Sequence, residues 1–263
     1  MRVYWEFGLR SFRRGLAYRL NTLLRVVGTL AYLVIQVAIW RALLSHGAVA
    51  GVTQQQMVSY AILSTCITAV RLNSTITRTV DERLNTGNIA IDLIKPLRYP
   101  LYLAADGLGS AAYQALFTTL PTLVIAGVAF GFQPPASVVA FLAFLASVAL
   151  ALALSFAIGY LIALCAFWVL TTFHFEWTIN TLIKVFSGRF LPFWFFPPWL
   201  AAVAAWSPFG YFNFVPVAIY LGRIPTADLG RTLAVGLGWT VLLLGLAAWI
   251  WSRSVRRLVV QGG

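Results

Sequence analysis

Residues 136–170 read ASVVAFLAFLASVALALALSFAIGYLIALCAFWVL, 35 positions without one charged side chain. About 20 apolar residues carry a helix across a bilayer core of about 30 Å, so the run offers one long crossing or two short ones. The same composition holds almost throughout: 60% of residues are hydrophobic, 10% are charged and the mean hydropathy is +0.84. Soluble domains carry about 25% charged residues. This chain can bury a core easily but has too little polar sequence to cover one. Backbone in lipid must satisfy its own hydrogen bonds, and runs this long suit helices rather than barrel strands. The expected class is an all-α, polytopic membrane protein.

Arginine placement sets the topology. Arg2, Arg10, Arg13 and Arg14 precede the first apolar run, Leu20–Trp40, and Arg253, Arg256 and Arg257 follow the last, 231–251. Positive residues favour the cytoplasmic side, so both termini belong there and the number of crossings is even. Further crossings are expected at 56–77 and 101–130, with a fourth and fifth sharing 136–191. Splitting 136–170 in two while keeping 174–191 gives an odd total. The reading is therefore one long fourth span, a cytoplasmic turn near Thr171–His174, and a fifth span ending near Phe190. Six transmembrane helices result, in one domain over residues 1–263. Its parts are 1–19, spans one and two in 20–77, a cytoplasmic segment 78–100, spans three to five in 101–191, an outer segment 192–216 and the last span. No span pair repeats another.

Residues 1–19 form a basic amphipathic segment. At 100° per residue Trp5, Leu9, Phe12 and Leu16 fall within an arc of roughly 60°, with Arg2, Glu6, Arg10, Arg13 and Arg14 beside them. Such a helix rests in the headgroup plane with its apolar edge down. A signal peptide is the alternative, and Ala48–Ala50 resembles a cleavage site, but Leu20–Trp40 is too long for a 7–15-residue apolar region. The net charge of +12 gathers at the ends of apolar runs, where it meets lipid headgroups rather than nucleic acid. Cys66 and Cys165 sit inside apolar runs with no metal or disulfide spacing.

Within 78–100, three of the seven acidic residues stand among Arg78, Arg83, Lys95 and Arg98. Here NIAIDLIKP reads as a short helix, with Asn88 as N-cap and Pro96 as the stop. Ile89, Ala90, Leu93, Ile94 and Leu97 form an apolar stripe rimmed by Asp92, Lys95 and Arg98, and Gly87 allows the chain to reverse. Such a pattern suits either an interface anchor with a polar rim or a loop skimming the membrane. Further on, Pro192, Pro197, Pro198, Pro208 and Pro216 cut an apolar stretch into pieces too short to span. A segment of that kind dips into the outer leaflet and returns, packed on protein or lining a cavity. Phe193, Trp194, Phe195, Phe196, Trp199 and Trp206 serve there as an interfacial belt, as the lining of a gate, or both. Lys184, inside the fifth span, should face a partner or a wet cavity unless it snorkels to an end. Arg71 and Asp106, nearer the cytoplasmic ends, are interfacial candidates for pairing.

Several chemistries lack their residues. Both lysines, Lys95 and Lys184, follow an isoleucine, so no phosphate-binding loop exists. His46 and His174 cannot make a zinc-protease motif, and no carboxylate pair lies at mid-membrane. No catalytic, cofactor or metal site is expected. The rivals from other classes are a membrane-embedded enzyme acting on lipid and a non-transporting assembly scaffold.

The chain resembles the permease subunits of bacterial ATP-binding-cassette exporters, in the branch of antibiotic and viologen exporter permeases. The resemblance covers nearly the whole length and rests on AYR (17–19), GNIAIDLIKPLRYP (87–100), AFW (166–168), SGRFLPFWFFPPWL (187–200), SPF (207–209) and VVQGG (259–263). It implies that Gly87, Ile89, Ile91, Asp92, Leu93, Pro96 and Leu97 form a coupling helix seated in a separate ATPase. It further implies that residues 5–16 are the interfacial connecting helix and that 191–212 is the outer re-entrant segment. The expected complex has two ATPase copies carrying Mg-ATP and a second permease, the same or homologous, in the bacterial plasma membrane. It would move an amphipathic drug, glycolipid or polysaccharide outward by alternating access.

Overall fold

A computed structural model describes residues 2–45, 51–94, 97–166 and 173–261. These are helical with no strand among them: α1 (Arg2–Leu16), α2 (Arg19–Leu43), α3 (Gln54–Ala69), α4 (Asn73–Asn85), α5 (Asn88–Ile94) and α6 (Tyr99–Gln114) come first. A π-helical turn, Ala115–Thr119, joins α6 to α7 (Leu120–Phe130). Then follow α8 (Val138–Cys165), α9 (Phe173–Phe186), α10 (Pro198–Trp206), α11 (Phe214–Tyr220) and α12 (Leu229–Gln261).

Four helical stretches are long and apolar enough to cross a membrane: Arg19–Leu43, Tyr99–Phe130, Val138–Cys165 and Thr226–Arg253. They coincide with the first, third, fourth and sixth expected crossings, and the protein is a multi-pass helical membrane protein. The long run 136–170 is thus one helix as far as Cys165; of the expected turn near Thr171–His174, residues 171 and 172 lie outside the described residues, whereas Phe173 and His174 already belong to α9.

The expected second and fifth crossings take a different form. The second is broken after Ala69, and α4 begins only at Asn73. Helix α8 holds the break open. The Leu72 N–H donates to Ser155 Oγ at 3.0 Å, and the Thr77 hydroxyl donates to the Gly159 carbonyl at 3.2 Å. A Cβ on Gly159 would stand 2.5 Å from the Asn73 backbone, so only glycine admits this approach. Ser155 and Gly159 are four apart and share a helix face. Among the described residues the fifth run is helical over Phe173–Phe186, 14 residues, or about 21 Å. That is short of a bilayer core.

The π turn has a local cause. Pro121 lacks an N–H and crowds the carbonyl four residues back, which loosens the preceding turn into wider spacing. Three apolar clusters hold the helices together. One joins α2, α3, α7 and α11 through Leu33, Met57, Ile62 and Val217. A second joins α4, α5, α6, α8 and α12 through Ile76, Ile89, Leu103, Leu164 and Ala247. The third seats Ile183 of α9 against Leu154, Phe212 and Ile219.

The two ends of the bundle differ in charge. At the first end lie α1, α5, the start of α6 and the late part of α12, where Tyr99 stacks on Trp251 with centroids 5.5 Å apart. At the second end, the Ala136 N–H donates to the Tyr220 carbonyl, and Tyr220 Oη donates to the Gln133 carbonyl. Both ion pairs found among the described residues, Arg14–Asp106 and Arg83–Asp92, belong to the first end.

Candidate functional site

The first end is organised around α5. Gly87 takes a φ of +71°, a left-handed conformation that side chains disfavour, and this reverses the chain between α4 and α5. The helix begins at Asn88 itself, one residue earlier than a cap at that position implies, a difference within ordinary boundary scatter. Ile89 is buried and packs with Leu72, Ile76 and Val80, so it faces the protein's own core. Ile91 is 58% exposed and points away.

Asp92 is not at an exposed rim. It is only 6% exposed and pairs with Arg83 of α4, Oδ2 to Nη1 at 3.3 Å. The reason is helical period: Ile89 and Asp92 are three apart and share a face, so seating Ile89 brings Asp92 inward. A cavity of about 380 Å³ beside the pair is lined by Arg10, Arg14, Tyr102 and Asp106 as well. Leu97 is half-buried and Arg98 is exposed, its N–H donating to Tyr4 Oη at 3.0 Å. The side chains of Ala90, Leu93 and Ile94, and both Lys95 and Pro96, lie outside the described residues.

Helix α1 does not lie free. It runs alongside α6, from Tyr4 at Arg98, through Phe7 edge-on to Tyr102 at 4.8 Å, to Phe12 edge-on to Tyr113 at 5.8 Å. Trp5, Leu9 and Phe12 line an apolar groove of about 990 Å³ against Ala105, Leu108 and Ala112. Trp5 and Leu16 remain exposed. The suggested pairing of Asp106 with Arg71 is corrected here: Asp106 takes Arg14 at 2.9 Å. Arg14 stands four helical turns into the chain and so could not be picked out by sequence spacing.

After α9 the chain turns against the middle of α3. Tyr60 Oη donates to the Gly188 carbonyl at 2.6 Å, and Gly188 has φ +73°. Pro192 leads into a 3-10 turn, Phe193–Phe195, in which Phe193 stacks on Phe214 at 4.1 Å. Trp194 meets Tyr60 edge-on at 5.4 Å, and Phe195 stacks on Trp40 at 5.4 Å. Phe196 contacts Phe193, whereas Trp199 and Trp206 of α10 are exposed. Asn213 Nδ2 then donates to the Ser64 carbonyl at 2.9 Å, midway along α3, before α11 returns to the second end at Tyr220. The stretch 192–216 is four short helical pieces and not one helix.

Lys184 is exposed on α9 next to the buried Ile183, so it does not face the interior of this chain's own bundle. Arg71 sits at the α3–α4 break over the Phe212 ring, 5.8 Å from its centroid. Cys66 is buried, Cys165 is half-buried, and both are free thiols. No group of three or more metal-ligating side chains occurs among the described residues.

A family model described as ABC-2 family transporter protein matches residues 27–262. No curated protein matches the chain.

Proposed function

The chain belongs to the ABC-2 family of transporter proteins, as a membrane-spanning permease subunit that partners an ATP-binding-cassette subunit, and from that premise we propose that it exports an amphipathic or lipid-like substrate, with α5 as the coupling helix. One observation carries this reading. Helix α5 presents Ile91 outward at the charged end while Ile89 and the Arg83–Asp92 pair anchor it from behind. An exposed apolar residue on a braced helix suits a groove in another subunit. Gly87, Ile89, Asp92 and Leu97 hold the helix, Ile91 docks, and Leu93 and Pro96 complete the element.

The proposed topology has six crossings with both termini cytoplasmic, in a bacterial plasma membrane. Here α3 and α4 together make the second crossing, and α9 with the residues after it makes the fifth. Stretch 192–216 is the outer re-entrant segment: it passes from the second end down to Asn213 and back to Tyr220. Its packed aromatics close the exit, and the exposed Trp199 and Trp206 anchor it in the outer headgroup zone. Helix α1 is the connecting helix, fixed to α6 where the charge ends at Asp106. Beyond it, 107–130 holds no charge over about 36 Å.

The complex comprises two cassette ATPases holding Mg-ATP and a second permease, the same or homologous. Lys184 lies on the α9 face offered to that permease. A lipid-modifying enzyme or a scaffold would need neither an ATPase nor a braced outward helix.

Solubilised gently, the chain should bring with it a protein carrying a GxxxxGK[ST] loop, and the complex should hydrolyse ATP. In intact cells, Gln133→Cys should react with an impermeant thiol reagent and Thr86→Cys should not. Recovery of the chain without any such ATPase, or external labelling at position 86, would overturn the reading.

A further inference from the structure

A polar cavity of about 460 Å³ lies between α2, α3, the π turn and the loop after α9. Two arginines line it, Arg25 and Arg189. Arg189 lies over the Tyr32 ring at 5.2 Å, and Tyr32 is midway along the 25-residue α2, about 20 Å from its start. A cation this deep in a membrane protein needs compensation. None comes from a carboxylate: the ion pairs at the first end, Arg14–Asp106 and Arg83–Asp92, involve neither arginine. Among the described residues the Arg25 side chain donates to the Gln114 amide oxygen alone, at 3.4 Å.

Unused hydrogen-bond donors converge on the same place. Arg189 Nε is buried with no partner, and so is the Thr118 hydroxyl in the cavity wall, a residue only 4% exposed. Arg71, at the α3–α4 break, likewise has its Nε and Nη1 buried without a hydrogen-bond partner among the described residues. Buried charges and donors left so are destabilising unless a ligand of opposite charge fills the site. A second cavity, of about 270 Å³, shares Arg25, Gln114 and Thr118 with the first and reaches Ser11 and Arg14 at the charged end. Side by side, their linings trace a path from Arg14 at the charged end to Tyr32 midway along α2.

We infer that this path binds an oxyanion, a phosphate or carboxylate, carried on an amphiphile. The inference deepens the transport reading, and rests on it only for the origin of the ligand, which is either the transported molecule or an anionic lipid of the bilayer. A guanidinium fork matches an oxyanion with paired donors, whereas a cationic amphiphile would be repelled by three arginines.

The test uses the chain with its co-purifying subunits in nanodiscs of phosphatidylcholine, titrated with dodecyl phosphate and separately with dodecyltrimethylammonium. Dodecyl phosphate should bind at one site per chain, and the ammonium should not compete. Arg189→Gln should weaken binding at least tenfold, Arg25→Gln severalfold, and Arg189→Lys by an intermediate factor. Should Arg189→Gln fail to fold, Arg25→Gln and Thr118→Val carry the comparison. Discs containing phosphatidylglycerol separate the sources: blocked dodecyl phosphate binding identifies a lipid ligand, and unaltered binding a transported one. Either result supports the oxyanion site. Affinity unchanged by both arginine substitutions, or equal affinity for the ammonium, overturns it. If the ATPase co-purifies and dodecyl phosphate does not bind, the oxyanion site fails while the transport reading stands; binding without an ATPase has the opposite meaning.

Discussion

Ile91→Asp should strip the ATPase from the complex while leaving the permease folded in the membrane. Ile91 is exposed on α5 and is not a member of the apolar clusters found among the described residues. The substitution therefore costs the isolated chain little. At the interface it removes an apolar anchor, an effect of about 2 kcal/mol or more, roughly thirtyfold in affinity. It also places a carboxylate in the proposed apolar contact, which adds desolvation to the loss. Arg98→Ala, at an exposed charge of the same end, should change binding by only a few fold. The measurement is co-purification of the ATPase at matched permease levels, with ATP hydrolysis of the eluate as second readout. Full recovery of both with Ile91→Asp would show that α5 docks through other residues or not at all.

Gly109→Leu should detach α1 from α6. A Cβ at Gly109 would stand 2.0 Å from the Gly8 carbonyl oxygen, and one at Gly8 would stand 3.1 Å from the Ala105 carbonyl. Both obstacles are backbone, which cannot rotate aside as a side chain does. Overpacking usually costs about 1–3 kcal/mol, and a contact between two backbones belongs at or above the top of that range. The salt bridge Arg14–Asp106 and the Phe7–Tyr102 and Phe12–Tyr113 contacts would be lost with it. Expected results are a thermal midpoint lower by several degrees and new protease cleavage near Ala17–Tyr18. Gly245→Ala, where nothing lies within 4 Å of the added carbon, is the control and should change neither. An unaltered midpoint with Gly109→Leu would mean that α1 does not depend on this contact.

Much of this arrangement is legible in the sequence because apolar runs and prolines act locally. The apolar runs, 136–170 above all, mark the long helices, and the prolines at 192, 197, 198, 208 and 216 mark a segmented stretch. Interactions between distant positions were not legible. The stripe on 88–97 reads as a single apolar face, yet Ile89 turns inward because α4 and α6 offer it a core, and Asp92 follows to meet Arg83. The break at 70–72 depends on Ser155 and Gly159 of α8; its only sequence trace is the polar run RLNSTITR at 71–78, inside an otherwise apolar crossing. The expected end of the fifth span near Phe190 places Arg189 at the outer end. Arg189 instead lies over Tyr32, midway along α2, because the chain just before it is tied to Tyr60. An arginine among aromatics after a short apolar run was the available signal.

The most direct test of α5 as the coupling element is photo-crosslinking in living cells, with a photoreactive amino acid placed at position 91 or, for comparison, at position 128. Val128 is more exposed than Ile91 but lies on α7, toward the opposite end of the bundle. The account predicts an adduct from position 91 whose cross-linked protein, identified by mass spectrometry, contains a GxxxxGK[ST] loop, and no such adduct from position 128. An adduct to lipid alone from position 91, or the ATPase captured equally from position 128, would contradict it.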